Sequence, residues 1–168
     1  MIKFIKKFKK YTHMFTFLTC LFMLNSQTVY SQLNQFYLKE HLVIDLLTST
    51  EWMRCSVGQR WNGETCIGKI ISLNHEQMDE VLSIASEQLG SGWRLPTRKE
   101  LESLVCRDCK IPKIDSRIFP NTDPVPYWTG ERNKFAKKHF WSVNFYTGNT
   151  YGRFYPYQFL AVRLVRDR

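Results

Sequence analysis

Acidic side chains are missing from the start of this chain, since no Asp or Glu precedes Glu40. The same segment lacks a long apolar run: Met14 to Leu24 stops well short of the roughly 20 residues that a spanning helix needs, so no membrane span is expected. Histidine is scarce. The three histidines beyond residue 31, His41, His75 and His139, stand at no ligand spacing, which leaves a Cys-x-x-Cys zinc site without its two further ligands. No metal and no cofactor are expected. Internal repeats and low-complexity tracts are also absent, which excludes solenoid arrays. No Ser and His fall with an acid at a recognisable motif spacing, and the carboxylates are scattered. His75 with Asp79 reads as a helical surface pair rather than a catalytic dyad. The chain is therefore not expected to be an enzyme.

What is present begins with Lys3, Lys6, Lys7, Lys9 and Lys10, followed by that short apolar run. Positive residues ahead of a brief hydrophobic stretch make a secretory signal peptide. Val29-Tyr30-Ser31 supplies the small residues that place cleavage before Gln32, giving a signal peptide over 1–31, a short polar leader over 32–41 and one domain over 42–168. Cys20 is followed by further apolar residues, not by a polar mature start, so lipidation is discounted. Removing residues 1–31 takes five of the 24 basic residues and none of the 15 acids, which lowers the net charge from +9 to +4. That falls short of the dense basic stripe of a nucleic-acid binder, and export argues against nucleic acid as well. The product is expected in the periplasm or outside the cell.

Four cysteines remain beyond the signal segment: Cys55, Cys66, Cys106 and Cys109. An even count in an exported chain reads as two disulfides with three possible pairings. Cys55 with Cys66, across a glycine-containing turn, and Cys106 with Cys109 are favoured. The second spacing also suits redox exchange, although it falls at a helix end and not at the helix start of thioredoxin-like motifs.

The chain is organised around Gly92-Trp93-Arg94-Leu95-Pro96-Thr97, where glycine breaks the preceding element and Pro96 extends Leu95 into a short buried strand. Thr97 with Glu100 predicts a capping box opening a helix, with Leu101, Leu104 and Val105 on one face. Arg94 reads as fixing neighbouring loops. Leu42 to Leu47 and Glu51 to Cys55 predict a hairpin. Asn74 with Gln77 caps a helix over His75 to Leu89, buried through Met78, Val81, Leu82, Ala85 and Leu89. Ile111 to Tyr127 holds four prolines and reads as an irregular loop. Strands follow at Tyr127 to Thr129, Phe140 to Tyr146, Tyr151 to Tyr155 and Leu160 to Arg166. In the second of these Trp141, Val143 and Phe145 share a face, and in the last the alternation leaves the inward face open. Two helices on a mainly antiparallel sheet with long irregular loops define an α+β class.

Trp52-Met53-Arg54-Cys55, Trp61-Asn62-Gly63, Gly92 to Leu104, Phe119-Pro120-Asn121-Thr122, Tyr127-Trp128-Thr129, Trp141-Ser142-Val143-Asn144-Phe145 and Val162-Arg163-Leu164-Val165-Arg166 resemble, in content and order, the Lcl C-terminal domain family. The central stretch is also similar to that of formylglycine-generating enzymes and fibrobacter-type surface domains. The resemblance implies a C-type-lectin-like fold. It also implies adhesion, since the family's namesake carries this domain after collagen-like repeats and is linked to sulfated glycosaminoglycans and host surfaces. Here the Gly-x-y repeats are missing, no acid follows Asn144 as a calcium-binding lectin motif would require, and no cysteine follows Cys109 to build the oxidase copper site.

Arg132, Lys134, Lys137, Lys138 and His139 form the densest basic cluster of the mature chain, between two predicted strands, with Glu131 beside it. Cations on a loop suit sulfated or carboxylated sugars. Tyr155 and Tyr157 flank Pro156, which interrupts strand pairing and should expose both rings for stacking, whereas Phe154 and Phe159 are expected to cover the sheet. The function expected is an exported, non-catalytic module binding an anionic glycan at Arg132, Lys134, Lys137, Lys138, Tyr155 and Tyr157. The alternative is an envelope interaction protein docking a protein partner.

Overall fold

The computed structural model describes residues 35–168, so the expected signal peptide lies outside the described residues. In chain order the elements are β1 (Phe36–Lys39), β2 (Leu42–Asp45), β3 (Thr50–Met53), β4 (Arg60–Trp61), β5 (Cys66–Ile67), a 3-10 turn (His75–Gln77), α1 (Met78–Leu89), α2 (Arg98–Ser103), β6 (Pro126–Arg132), β7 (Phe140–Asn144), β8 (Asn149–Phe154) and β9 (Val165–Asp167). One sheet runs β1-β2-β3-β9, the β4-β5 pair stands alone, and a third runs β6-β7-β8. This is the α+β arrangement with mainly antiparallel pairing that the patterning predicts. β1 lies in the segment read as a leader.

Local chemistry explains the elements. The Asp45 carboxylate accepts from the Leu47 amide at 2.9 Å, an Asx turn that reverses the chain so that Leu42 faces Met53 and Asp45 faces Thr50. Asn74 accepts from the Glu76 and Gln77 amides at 3.1 and 3.2 Å while Gln77 accepts from the Asn74 amide at 3.1 Å, closing the expected capping box. α1 then buries Met78 and Ala85, with Val81, Leu82 and Leu89 packed on the core. The second box is present too. The Glu100 amide donates to Thr97 Oγ1 at 3.2 Å and the Glu100 carboxylate accepts from the Thr97 amide at 2.7 Å.

Trp93-Arg94-Leu95 forms less strand than expected: one antiparallel bridge, Arg94 to Val165, with the Trp93 ring buried. Arg94 is scaffold. Its guanidinium donates twice to Glu100 at 2.9 Å and once to Asp167 at 2.6 Å, which holds the Glu100 carboxyl below the usual range. Both favoured disulfides are formed, Cys55–Cys66 and Cys106–Cys109, with Cα atoms 5.5 and 5.3 Å apart.

Alternation misleads in two places. In β7 the register shifts between Phe140 and Ser142, so Phe140, Ser142 and Val143 are all buried while Trp141 is half-exposed. In the last segment, residues 160–165 are buried on both faces. Leu160 bridges Leu73, Ala161 lies parallel to Tyr127, and the carbonyls of Val162 and Leu164 accept from Val57 and Met53 at 2.9 and 3.0 Å. Arg163 is 0% exposed. It donates to the carbonyls of Met53 and Arg54 and to the hydroxyls of Ser56 and Thr122, with its plane over Phe119 at 4.8 Å.

Candidate functional site

Gly130 brings the central stretch and the third sheet together. Its amide donates to the Pro96 carbonyl at 2.9 Å, and a Cβ there would stand 3.4 Å from the Leu95 side chain, so the two backbones approach closely. The start of α2 therefore lies beside the end of β6. Between them opens a cleft of about 640 Å³ lined by Thr97, Arg98, Lys99, Glu131, Arg132, Asn133, Lys134, Phe135 and Trp141.

Two of the cations in this cleft, Arg98 and Arg132, are positioned by the fold. The Arg98 guanidinium covers the Trp141 ring at 4.6 Å and pairs with Glu102 at 3.7 Å, while its backbone amide donates to the Glu131 carboxylate at 3.1 Å. Arg132 lies over Phe140 at 4.5 Å. The Phe140 ring also stacks on His75 at 3.6 Å, and burial, then the Arg132 charge, lowers the His75 pKa to about 4. Trp141 has its place because position 152 is glycine: an added Cβ would stand 2.6 Å from the indole and 2.7 Å from Asn133 Nδ2. Asn133 is buried, donates to the Gly152 carbonyl at 2.8 Å and accepts from the Phe135 amide at 3.0 Å, which fixes the loop that follows β6.

Among the residues chosen from sequence, Arg132 and Lys134 line the cleft. Lys137 and Lys138 are exposed on the same loop but are not part of the lining, and Arg132 Nη1 donates to the Lys137 carbonyl at 3.4 Å. Tyr155 and Tyr157 are exposed and stack on each other with centroids 5.3 Å apart. Tyr155 also meets the His139 ring at 4.2 Å, so the pair sits at the base of the basic loop and outside the cleft. His75 is packed among aromatic rings in place of the expected surface pair. Phe154 packs on the core as expected, but Phe159 is 61% exposed, at the edge of a smaller apolar hollow with Val125, Pro126 and Leu160.

Arg98, Lys99, Phe135 and Trp141 complete the cleft, and no local pattern in the sequence points to them as site residues. The capping box marks Arg98 and Lys99 as first-turn residues with outward freedom, but their meeting with Lys134 depends on the Gly130–Pro96 contact, which no local pattern reveals. Four cations on one cleft open to solvent, two of them held over aromatic rings, can hold a sulfate or carboxylate by charge-assisted hydrogen bonds.

Among the described residues no helix is long and apolar enough to cross a membrane. No curated protein matches the chain. A comparison with protein families matches residues 41–166 to one described as the Lcl C-terminal domain.

Proposed function

The chain belongs to the Lcl C-terminal domain family, and from that membership we propose that it is an exported, non-catalytic binding module with a C-type-lectin-like fold that recognises an anionic, sulfated glycan in adhesion. The observation that carries this reading is the cleft where Arg98, Lys99, Arg132 and Lys134 converge around Trp141 with Glu131 as the single acid in the lining. Two of these cations come from a helix start and two from a strand end and its loop, so the charge is concentrated by tertiary structure. The two disulfides and the signal-like leader support passage to an oxidising compartment, periplasmic or extracellular.

Retention on immobilised heparin tests it. The wild-type chain is expected to bind, with affinity falling steeply as salt rises. Arg98→Ala with Lys99→Ala is expected to weaken binding about tenfold or more, on the scale of two charge-assisted contacts. Binding that is indifferent to salt and to both substitutions removes the cleft from consideration.

Docking of a protein partner is the second reading, favoured by the exposed Phe159 at the rim of the apolar hollow. Phe159→Ser separates the two: it abolishes partner docking and leaves heparin retention intact.

A further inference from the structure

Phe135 is 99% exposed, the most extruded large apolar side chain of the described residues. Its surroundings are basic. Arg132, Lys134, Lys137 and Lys138 lie within six residues of it, all exposed, against one acid, Glu131. The ring is not extruded by a slack loop. Asn133 Oδ1 accepts from the Phe135 and Ala136 amides at 3.0 and 3.4 Å, and the Asn133 amide donates to the His139 carbonyl at 2.8 Å. The His139 amide in turn donates to the Ala136 carbonyl at 2.8 Å. These bonds build a compact turn that holds the phenyl ring outward.

We propose that the loop of residues 133–139 is an interfacial anchor for an anionic phospholipid surface. Phe135 enters the boundary between headgroups and acyl chains while Arg132, Lys134, Lys137 and Lys138 meet lipid phosphates. An apolar tip within a ring of cations matches the two forces that act at such a surface, burial of apolar area and attraction to negative headgroups. A soluble polyanion satisfies the cations and has no use for the phenyl ring. The tyrosines add to the match: Tyr157 is 62% exposed and Tyr155 leans on His139, so two rings with an apolar body and a polar hydroxyl stand at the base of the loop, as side chains at the headgroup level do. The contact lies on the protein's surface and involves no spanning element. It shares Arg132, Lys134 and Phe135 with the lining of the cleft, whereas Arg98, Lys99 and Trp141 serve the glycan reading alone.

Hydrogen exchange read locally at the amides of residues 134–138 tests the anchor with the full chain. Vesicles of phosphatidylcholine with phosphatidylglycerol are expected to protect those amides, and vesicles of phosphatidylcholine alone are not. Phe135→Ser, at a site whose side chain supports nothing in the fold, is expected to weaken the vesicle affinity about tenfold or more. Lys134→Ala with Lys137→Ala and Lys138→Ala is expected to lower vesicle affinity about a hundredfold. Equal affinity for wild type and Phe135→Ser overturns the proposal, as does protection that does not depend on phosphatidylglycerol. Retention on heparin without any vesicle effect leaves the cleft reading standing and rejects the lipid one.

Discussion

Four neutral oxygens hold the Arg163 guanidinium: the carbonyls of Met53 and Arg54 and the hydroxyls of Ser56 and Thr122. Burial lowers its pKa to about 10, so the cation persists at neutral pH through hydrogen bonds and the aromatic face of Phe119. Arg163→Met fills similar space but strands these acceptors in a dry interior. We expect a loss of about 3 kcal/mol or more, read as a lower urea midpoint, with Arg163→Lys intermediate because its ammonium cannot span all four. Nothing in the sequence marks this arginine as different from Arg166 three residues on, whose guanidinium reaches Glu51 at 2.8 Å near the surface. Phe159 shows the converse. Its hydrophobicity argued for the interior, yet the chain after Pro156 turns it outward, since Leu160 takes the pairing with Leu73.

Short elements depend on their ends. α2 spans only Arg98–Ser103, too few residues to persist without the Thr97 cap and the Leu101 and Leu104 anchors. Thr97→Ala is expected to cost about 1 kcal/mol of stability in urea titration. It should also reduce heparin retention severalfold, because the cap orients the first turn that carries Arg98 and Lys99. Both helix starts were legible in sequence for a simple reason: a capping box is complete within four residues, as Asn74 with Gln77 and Thr97 with Glu100 show. The site was only half legible. Arg132 and Lys134 announced themselves by density along the chain, whereas Arg98 and Trp141 join them through contacts at Gly130 and Gly152 that link distant segments. The β2–β3 hairpin was legible as a pair of strands, whereas strand faces were illegible where register shifts or where both faces are covered, as in β7 and residues 160–165.

For the molecule as a whole the two cross-links are unequal. Cys55 and Cys66 are buried at 4% and 1% exposure and enclose a sequence separation of 11, while Cys106 and Cys109 are half-exposed with a separation of 3. The wider loop restrains the unfolded chain more. Cys55→Ser with Cys66→Ser is expected to cost about 3 kcal/mol, and Cys106→Ser with Cys109→Ser less, measured by thermal melting. Under graded dithiothreitol, mass spectrometry of alkylated protein is expected to find Cys106 and Cys109 labelled first, by access. Cys55 and Cys66 labelling first would reverse that ranking.

Residues 160–167 knit together segments that arrive much earlier from the ribosome: Met53, Val57, Leu73, Arg94 and Trp128 all wait on them for a backbone partner. A nascent polypeptide that ends before this stretch lacks the pairing of Trp52 with Val165 and the core side chains of Val162 and Leu164. Compaction is therefore expected only once synthesis has passed residue 160, and a chain cut short of it is expected to stay open to protease.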